Sequence, residues 1–232
     1  MTPRHLFIFI LLFSSICFAK TPTDTTEVKD STLITNYQIL DYINNASKDD
    51  YPLLLDSLKK YHTTDFLKLR AAYTKTDNYD PYSINESEFF MSANSKVDSS
   101  KYDEAAKIME TLLETNYINL RAHLFCGYIY KQMKDSALSE YHYMVYEGLL
   151  NSILDYGDGR NPRTAYIVTS AGDEKILLYA FGMKSNEQQL INTDGHMFDL
   201  LKSVDKKTGK EYDIYFNVDV LFKHLRTLRT DN

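Results

Sequence analysis

Near residue 157 the hydrophobic period of this chain switches from that of a helix to that of a strand, so its two halves must fold as different kinds of layer. From about Asn36 to Tyr156 the apolar residues recur at helical spacing. The clearest run is Tyr102, Ala105, Ala106, Met109, Leu112 and Leu113, for which Ser100 is the expected cap with Asp103 three residues on. Ala122, Phe125, Cys126, Ile129 and Met133 continue the pattern, and Asp135 then caps a helix carrying Leu138, Tyr141, Val145, Leu149 and Ile153. Earlier helix starts are signposted by Asp50 before Tyr51-Pro52, by Thr64 before Phe66, and by a capping box from Ser83 to Glu86.

Beyond Tyr156, Gly157-Asp158-Gly159 and Asn161-Pro162 are turn chemistry, and Ala165 to Ser170 is a short β-branched run. Asp173 to Phe181 reads as a two-turn helix closed by Gly182. Residues 187–193 and 196–203 flank Asp194-Gly195, a hairpin turn. Tyr212, Ile214, Phe216, Val218 and Val220 then alternate with Glu211, Asp213, Tyr215, Asn217 and Asp219, which gives a last strand one buried and one wet face. Leu221, Leu225 and Leu228 mark a closing helix. The implied fold class is α+β: an N-terminal helical, partly tetratricopeptide-like bundle over 36–156, packed on a small antiparallel sheet of about four strands within 157–232.

The tetratricopeptide likeness rests on an internal echo. Ser139 and Tyr143 stand 34 residues after Ala105 and Met109, small matching small and bulky matching bulky, with Gly127 and Tyr130 between them. The segment resembles one and a half such repeats, with Asn116-Tyr117 where the consensus places a proline. So short an array cannot bury a solenoid core alone, which is why the helices are expected to lean on the sheet.

The first nineteen residues read as an export signal: Arg4, the apolar run Leu6 to Phe13, and small Cys17 and Ala19 before a cut after Ala19. That run is too short to span a bilayer. Ile16 ahead of Cys17 argues against a lipid anchor there. The mature chain is therefore expected to be periplasmic or secreted, with residues 20–35 a flexible leader too poor in apolar groups to order itself. A hydrophobic content of 44%, a charged content of 25% and a net charge of −6 exclude collagen-like and highly charged disordered chains, and leave no basic patch for nucleic acid. Loss of Cys17 leaves Cys126 without a disulfide partner, and its apolar neighbours make it a small buried hydrophobe.

The run from Ser152 to Gly159, then Pro162, Thr164 to Val168, the pair Asp173-Glu174 and the late strand Tyr212 to Asp219 resemble the signature of domain of unknown function family 4919, an uncharacterised secreted family known mainly from gut Bacteroides. The resemblance covers Tyr51 to Val220. Tyr156 stands where members have serine, and Ala71-Ala72-Tyr73 where they tend to have paired tyrosines and glycine. The resemblance implies a fold and an address but no reaction.

Asp155 to Gly159 has the look of a calcium loop, yet Tyr166 occupies the twelfth place, where a glutamate is needed, so a tight turn held by Asp158 is the expected structure. The histidines are scattered. His123 and His142 come closest to a pair, on adjacent helices, and no cofactor or metal is expected. No glycine-x-serine-x-glycine elbow is present. The 19 tyrosines, in a chain without tryptophan, have two readings: a tyrosine-rich core with hydroxyls reaching the rim, or recognition, with Tyr128, Tyr130, Tyr141, Tyr143 and Tyr146 lining a concave helix face that holds an extended peptide. The expected function is thus an exported cell-envelope module, non-enzymatic, binding a peptide or envelope protein through Tyr130, Tyr143, Asp158, Thr164, Asp173 and Glu174, with no oligomeric state implied. The alternative is a hydrolase or metal-dependent enzyme centred on Asp158, Asp173 and Glu174, which requires two carboxylates to converge with at least one pKa raised.

Overall fold

The computed structural model describes residues 36–82 and 86–230, so the expected signal, the leader and the Ser83 half of the capping box lie outside the described residues. Seven helices come first: α1 (Asn36–Asn44), α2 (Asp50–Tyr61), α3 (Phe66–Tyr73), α4 (Glu86–Asp98), α5 (Tyr102–Thr115), α6 (Leu120–Gln132) and α7 (Ser136–Leu154). A 3-10 turn at Pro162–Thr164 leads to β1 (Tyr166–Ile167), α8 (Ala171–Ala180), β2 (Met183–Thr193), β3 (His196–Asp205), β4 (Glu211–Asn217) and α9 (Asp219–Thr230). None of the described helices is long and apolar enough to cross a membrane.

Local chemistry sets most helix starts. Asp135 accepts from the Leu138 amide at 3.0 Å, as its position predicts. Two expected caps are corrected. At α3 the cap is Asp65, which accepts from the Lys68 amide at 2.9 Å, while the Thr64 hydroxyl donates to the Leu54 carbonyl. Ser100 does not open α5: at φ 57 it is left-handed and its amide donates to the Val97 carbonyl, so it closes α4 instead.

The small residues of the 34-residue echo permit close packing of α6 on α7. A Cβ on Gly127 would lie 2.8 Å from the Tyr143 ring, and the Ser139 hydroxyl donates to the Gly127 carbonyl oxygen at 2.8 Å.

The sheet has the order β1-β4-β3-β2. The β2–β3 and β3–β4 pairs are antiparallel, and Asp194 and Gly195, both at positive φ, make the expected hairpin turn. The sheet is mixed, not wholly antiparallel, because β1 runs parallel to β4 with Tyr166 opposite Phe216. A parallel partner requires a crossover, and here α8, β2 and β3 supply it. The last strand ends at Asn217, short of Val220, because the Asn217 side-chain oxygen accepts from the Asp219 amide and turns the chain into α9. Val218 and Val220 stay buried across that change.

One apolar cluster spans both halves, with Leu69, Met109, Ile129 and Leu149 from the bundle joined to Ile167, Leu177, Leu201 and Phe216. Helices and sheet therefore cover each other, as the change of period requires.

Candidate functional site

Arg70 projects from α3 into this joint and is fully buried. Its Nη1 donates to the backbone and hydroxyl oxygens of Ser152, both at 3.3 Å. Its Nη2 donates to the Ile167 carbonyl at 3.2 Å and lies 3.5 Å from the Asp173 carboxylate. Asp173 is also the third residue of an N-terminal capping box on α8, accepting from the Thr169 and Ser170 amides at 2.9 and 3.1 Å and from the Ser170 hydroxyl. Burial lowers the Arg70 pKa and the adjacent carboxylate opposes that shift. With its oxygens committed to these donors, Asp173 is a positioning group for α8.

Glu174 lies one residue on and faces β3. It is 4% exposed and hydrogen-bonded to Asp199, and burial first, then the Asp199 charge, pushes its pKa from 4.5 up to about 9. Glu174 is thus a neutral acid at pH 7, donating its proton to Asp199 and leaving its own Oε1 without a partner. Asp199 also accepts from the Gln188 amide nitrogen at 2.7 Å.

Asp158 sits apart from both. Its Oδ1 accepts from the Thr164 hydroxyl at 2.5 Å and from the Arg160 amide at 3.0 Å, while the Thr164 carbonyl accepts from the Asp158 and Gly159 amides. Asp158 and Thr164 form the turn between bundle and sheet. The carboxylate that does meet Glu174, Asp199, was missed in the sequence. Its only local signal is a charge on the strand face that Leu201 and Ser203 bury.

The tyrosines divide by helix face. Tyr130 is buried, donates to Glu110 and stacks on His142 at 5.5 Å, and the Tyr141 hydroxyl bonds that of Tyr117 at 2.6 Å. Residues two apart on a helix point roughly 200° from each other, so Tyr128 and Tyr143 lie on the other face. There Tyr143 is half-buried against Gly127, within electrostatic range of Tyr128 from α6 and Tyr179 from α8. Tyr128 stacks on Phe125 at 6.3 Å, Phe125 meets Phe90 at 6.1 Å, and the Arg121 guanidinium caps Phe90 at 3.7 Å. At the far end the Lys206 ammonium lies 5.8 Å from the Tyr179 ring. The result is an aromatic strip across four helices, α4, α6, α7 and α8, with a cation at each end. Sequence reasoning missed Tyr179, which lies beyond the change of period.

Arg121 also forms the rim of a cleft lined by Glu86, Asn116, Asn119 and Asp173, where α4, α6 and α8 begin. The Glu86 carboxyl is raised by burial, an effect opposed by Arg121 and by a hydrogen bond from Asn119.

His123 and His142 do meet, Nδ1 to Nδ1 at 3.0 Å. Nε2 of His123 donates to the Tyr117 carbonyl oxygen at 2.8 Å, so its Nδ1 must accept the proton of His142. Burial lowers both pKa values, to about 3 for His123 and about 4 for His142. Among the described residues no three His, Cys, Asp or Glu side chains are placed to hold a metal ion. Cys126 is buried and free, its thiol pushed up to about 12.

The family model described as "Domain of unknown function (DUF4919)" matches residues 37–226. No curated protein and no solved structure matches the chain.

Proposed function

Because the chain belongs to the DUF4919 family, whose description carries no activity, we propose from the site alone that it is an exported, non-catalytic binding module that holds an extended peptide segment along its aromatic strip. The observation that carries this reading is that Tyr143 lies within electrostatic range of both Tyr128 and Tyr179, three half-buried or exposed side chains from three helices. Tyrosine offers large amphipathic contact area at small entropic cost, and its hydroxyl can follow the backbone polar groups of an extended ligand. Lys206 and Arg121 at the two ends add donors for carbonyl oxygens.

A carboxylate-centred enzyme is the second reading, favoured by the proton shared between Glu174 and Asp199. At 4% exposure Glu174 is out of reach of a substrate, and this weighs for binding over catalysis.

The test is an amide-shift titration of the labelled chain with a randomised pool of peptides of about ten residues. Shifts confined to the surroundings of Tyr128, Tyr143 and Tyr179, and lost in Tyr143→Ala and Tyr179→Ala at unchanged melting temperature, support the strip. Absent shifts, or shifts indifferent to both replacements, remove it.

A further inference from the structure

The cleft beyond Arg121 continues the strip and has a chemistry of its own. Its whole volume is about 360 Å³ with the open mouth included, but the enclosed part admits only about one group the size of a water molecule. Its donors do not serve every acceptor: Asn119 donates to Glu86 and Arg121 lies on the rim, but one buried oxygen is left over. The Asn116 side-chain oxygen is buried there without a partner, and the Glu86 carboxyl faces it from the start of α4.

The helix ends around the cleft are already served. Asn119 accepts from the Ala122 amide at 2.9 Å, and Ser170 accepts from the Asp173 amide at 3.2 Å. Asp173 is held by Arg70, so it adds no free negative charge. Arg121 on the lining offsets part of the Glu86 charge, but an incoming anion would still meet Glu86 and Asp80, whereas a small cation would meet the Glu86 carboxyl and the unpartnered Asn116 oxygen.

We propose that the cleft takes one primary ammonium group, the amino terminus of the peptide lying on the strip, which donates to Glu86 and to the Asn116 oxygen. An ammonium head matches the enclosed space in size and carries three donors. Arg121, above it on the rim, is placed to donate to the first carbonyl of the same peptide and hand the chain on to Phe125 and Tyr128. This assignment rests on the peptide-binding reading above and sets the direction in which the ligand lies. A lysine side chain offers the same chemistry, and the test separates the two sources.

The experiment titrates the labelled chain with penta-alanine amide, with its N-acetyl form, and with N-acetyl-lysyl-tetra-alanine amide. The free terminus is expected to shift the side-chain amide signals of Asn116 and Asn119 and to bind about tenfold or more tightly than the acetylated peptide, a difference of about 1.4 kcal/mol or more. Glu86→Gln, of the same shape, is expected to remove that preference without moving the melting temperature. If the acetyl-lysyl peptide binds as well as the free terminus, the ammonium site stands but its assignment to a chain terminus is overturned. Equal binding of free and acetylated forms with the strip still perturbed overturns the ammonium anchor and leaves the strip. No perturbation of cleft or strip by any of the three overturns both.

Discussion

The Arg70 guanidinium on α3 lies 3.5 Å from the Asp173 carboxylate on α8, with side-chain exposures of 0% and 6%, so the bundle and the sheet-bearing half are joined by charge as well as by apolar packing. The two residues are remote in sequence. Arg70 reaches across the joint to the Ile167 carbonyl, while Asp173 caps α8 within its own half.

Removing both members of this pair should cost less than the sum of removing each alone. Asp173→Ala strands a buried guanidinium and deletes the cap, with an expected loss of about 3–5 kcal/mol in chemical denaturation. Arg70→Met leaves Asp173 with its amide donors and should cost less. The double variant should recover part of the sum. Strict additivity in the double-mutant cycle would mean that the two charges are not coupled.

A second prediction concerns pH. The folded-state pKa of Glu174 is raised from 4.5 to about 9, so the neutral form contributes stability that is fully present below 4.5 and is lost as pH rises through 9. Glu174→Gln keeps the shape and the donor to Asp199 but cannot ionise. It should match the parent near pH 4.5 and be the more stable form at pH 8, by an amount that grows by up to about 1.4 kcal/mol per pH unit within that window. A pH-independent difference between the two proteins would reject the neutral-acid assignment.

These two carboxylates show where a sequence is legible and where it is not. Turn and cap chemistry acts over a few residues, so the Asp194-Gly195 hairpin, the Asp135 cap and the tight turn held by Asp158 could be read directly. Ser100 misled because cap propensity is local, while its left-handed backbone is set by the close of α4. The parallel β1–β4 pair and the Glu174–Asp199 contact bring together distant segments, and no local pattern encodes them. The opposite facing of Tyr128 and Tyr130 was within reach, since helical spacing alone separates them.

The paired histidines give the opposite pH response to Glu174. Their folded-state values, about 3 and about 4, lie below the ordinary 6.5, so unfolding takes up protons below that pH. Their contribution is present above 6.5 and is lost as pH falls. At pH 5 the loss from His142 alone should be about 2 kcal/mol, measured as a drop in the denaturation midpoint. Histidine C2–H signals from the folded state should show both rings neutral at pH 5.5. Titration of either ring near 6.5 would contradict the hydrogen-bonded neutral pair.

The last prediction ties packing to the strip. A methyl group on Gly127 would sit 2.8 Å from the Tyr143 ring, closer than carbon atoms approach, so Gly127→Ala must push that half-buried ring outward. Overpacking of this kind costs about 1–3 kcal/mol, set against a helix-propensity gain of about 1 kcal/mol for alanine over glycine. The net effect in the parent should be a loss of stability together with weaker peptide binding, because the displaced ring leaves the line between Tyr128 and Tyr179. In a Tyr143→Ala background the clash is gone and only the propensity gain remains, so the same substitution should there raise stability by about 1 kcal/mol. Thermal denaturation of the four proteins reads this change of sign. If Gly127→Ala has the same effect with and without the tyrosine ring, the ring does not lie on the Gly127 backbone and the face proposed for the ligand is misplaced.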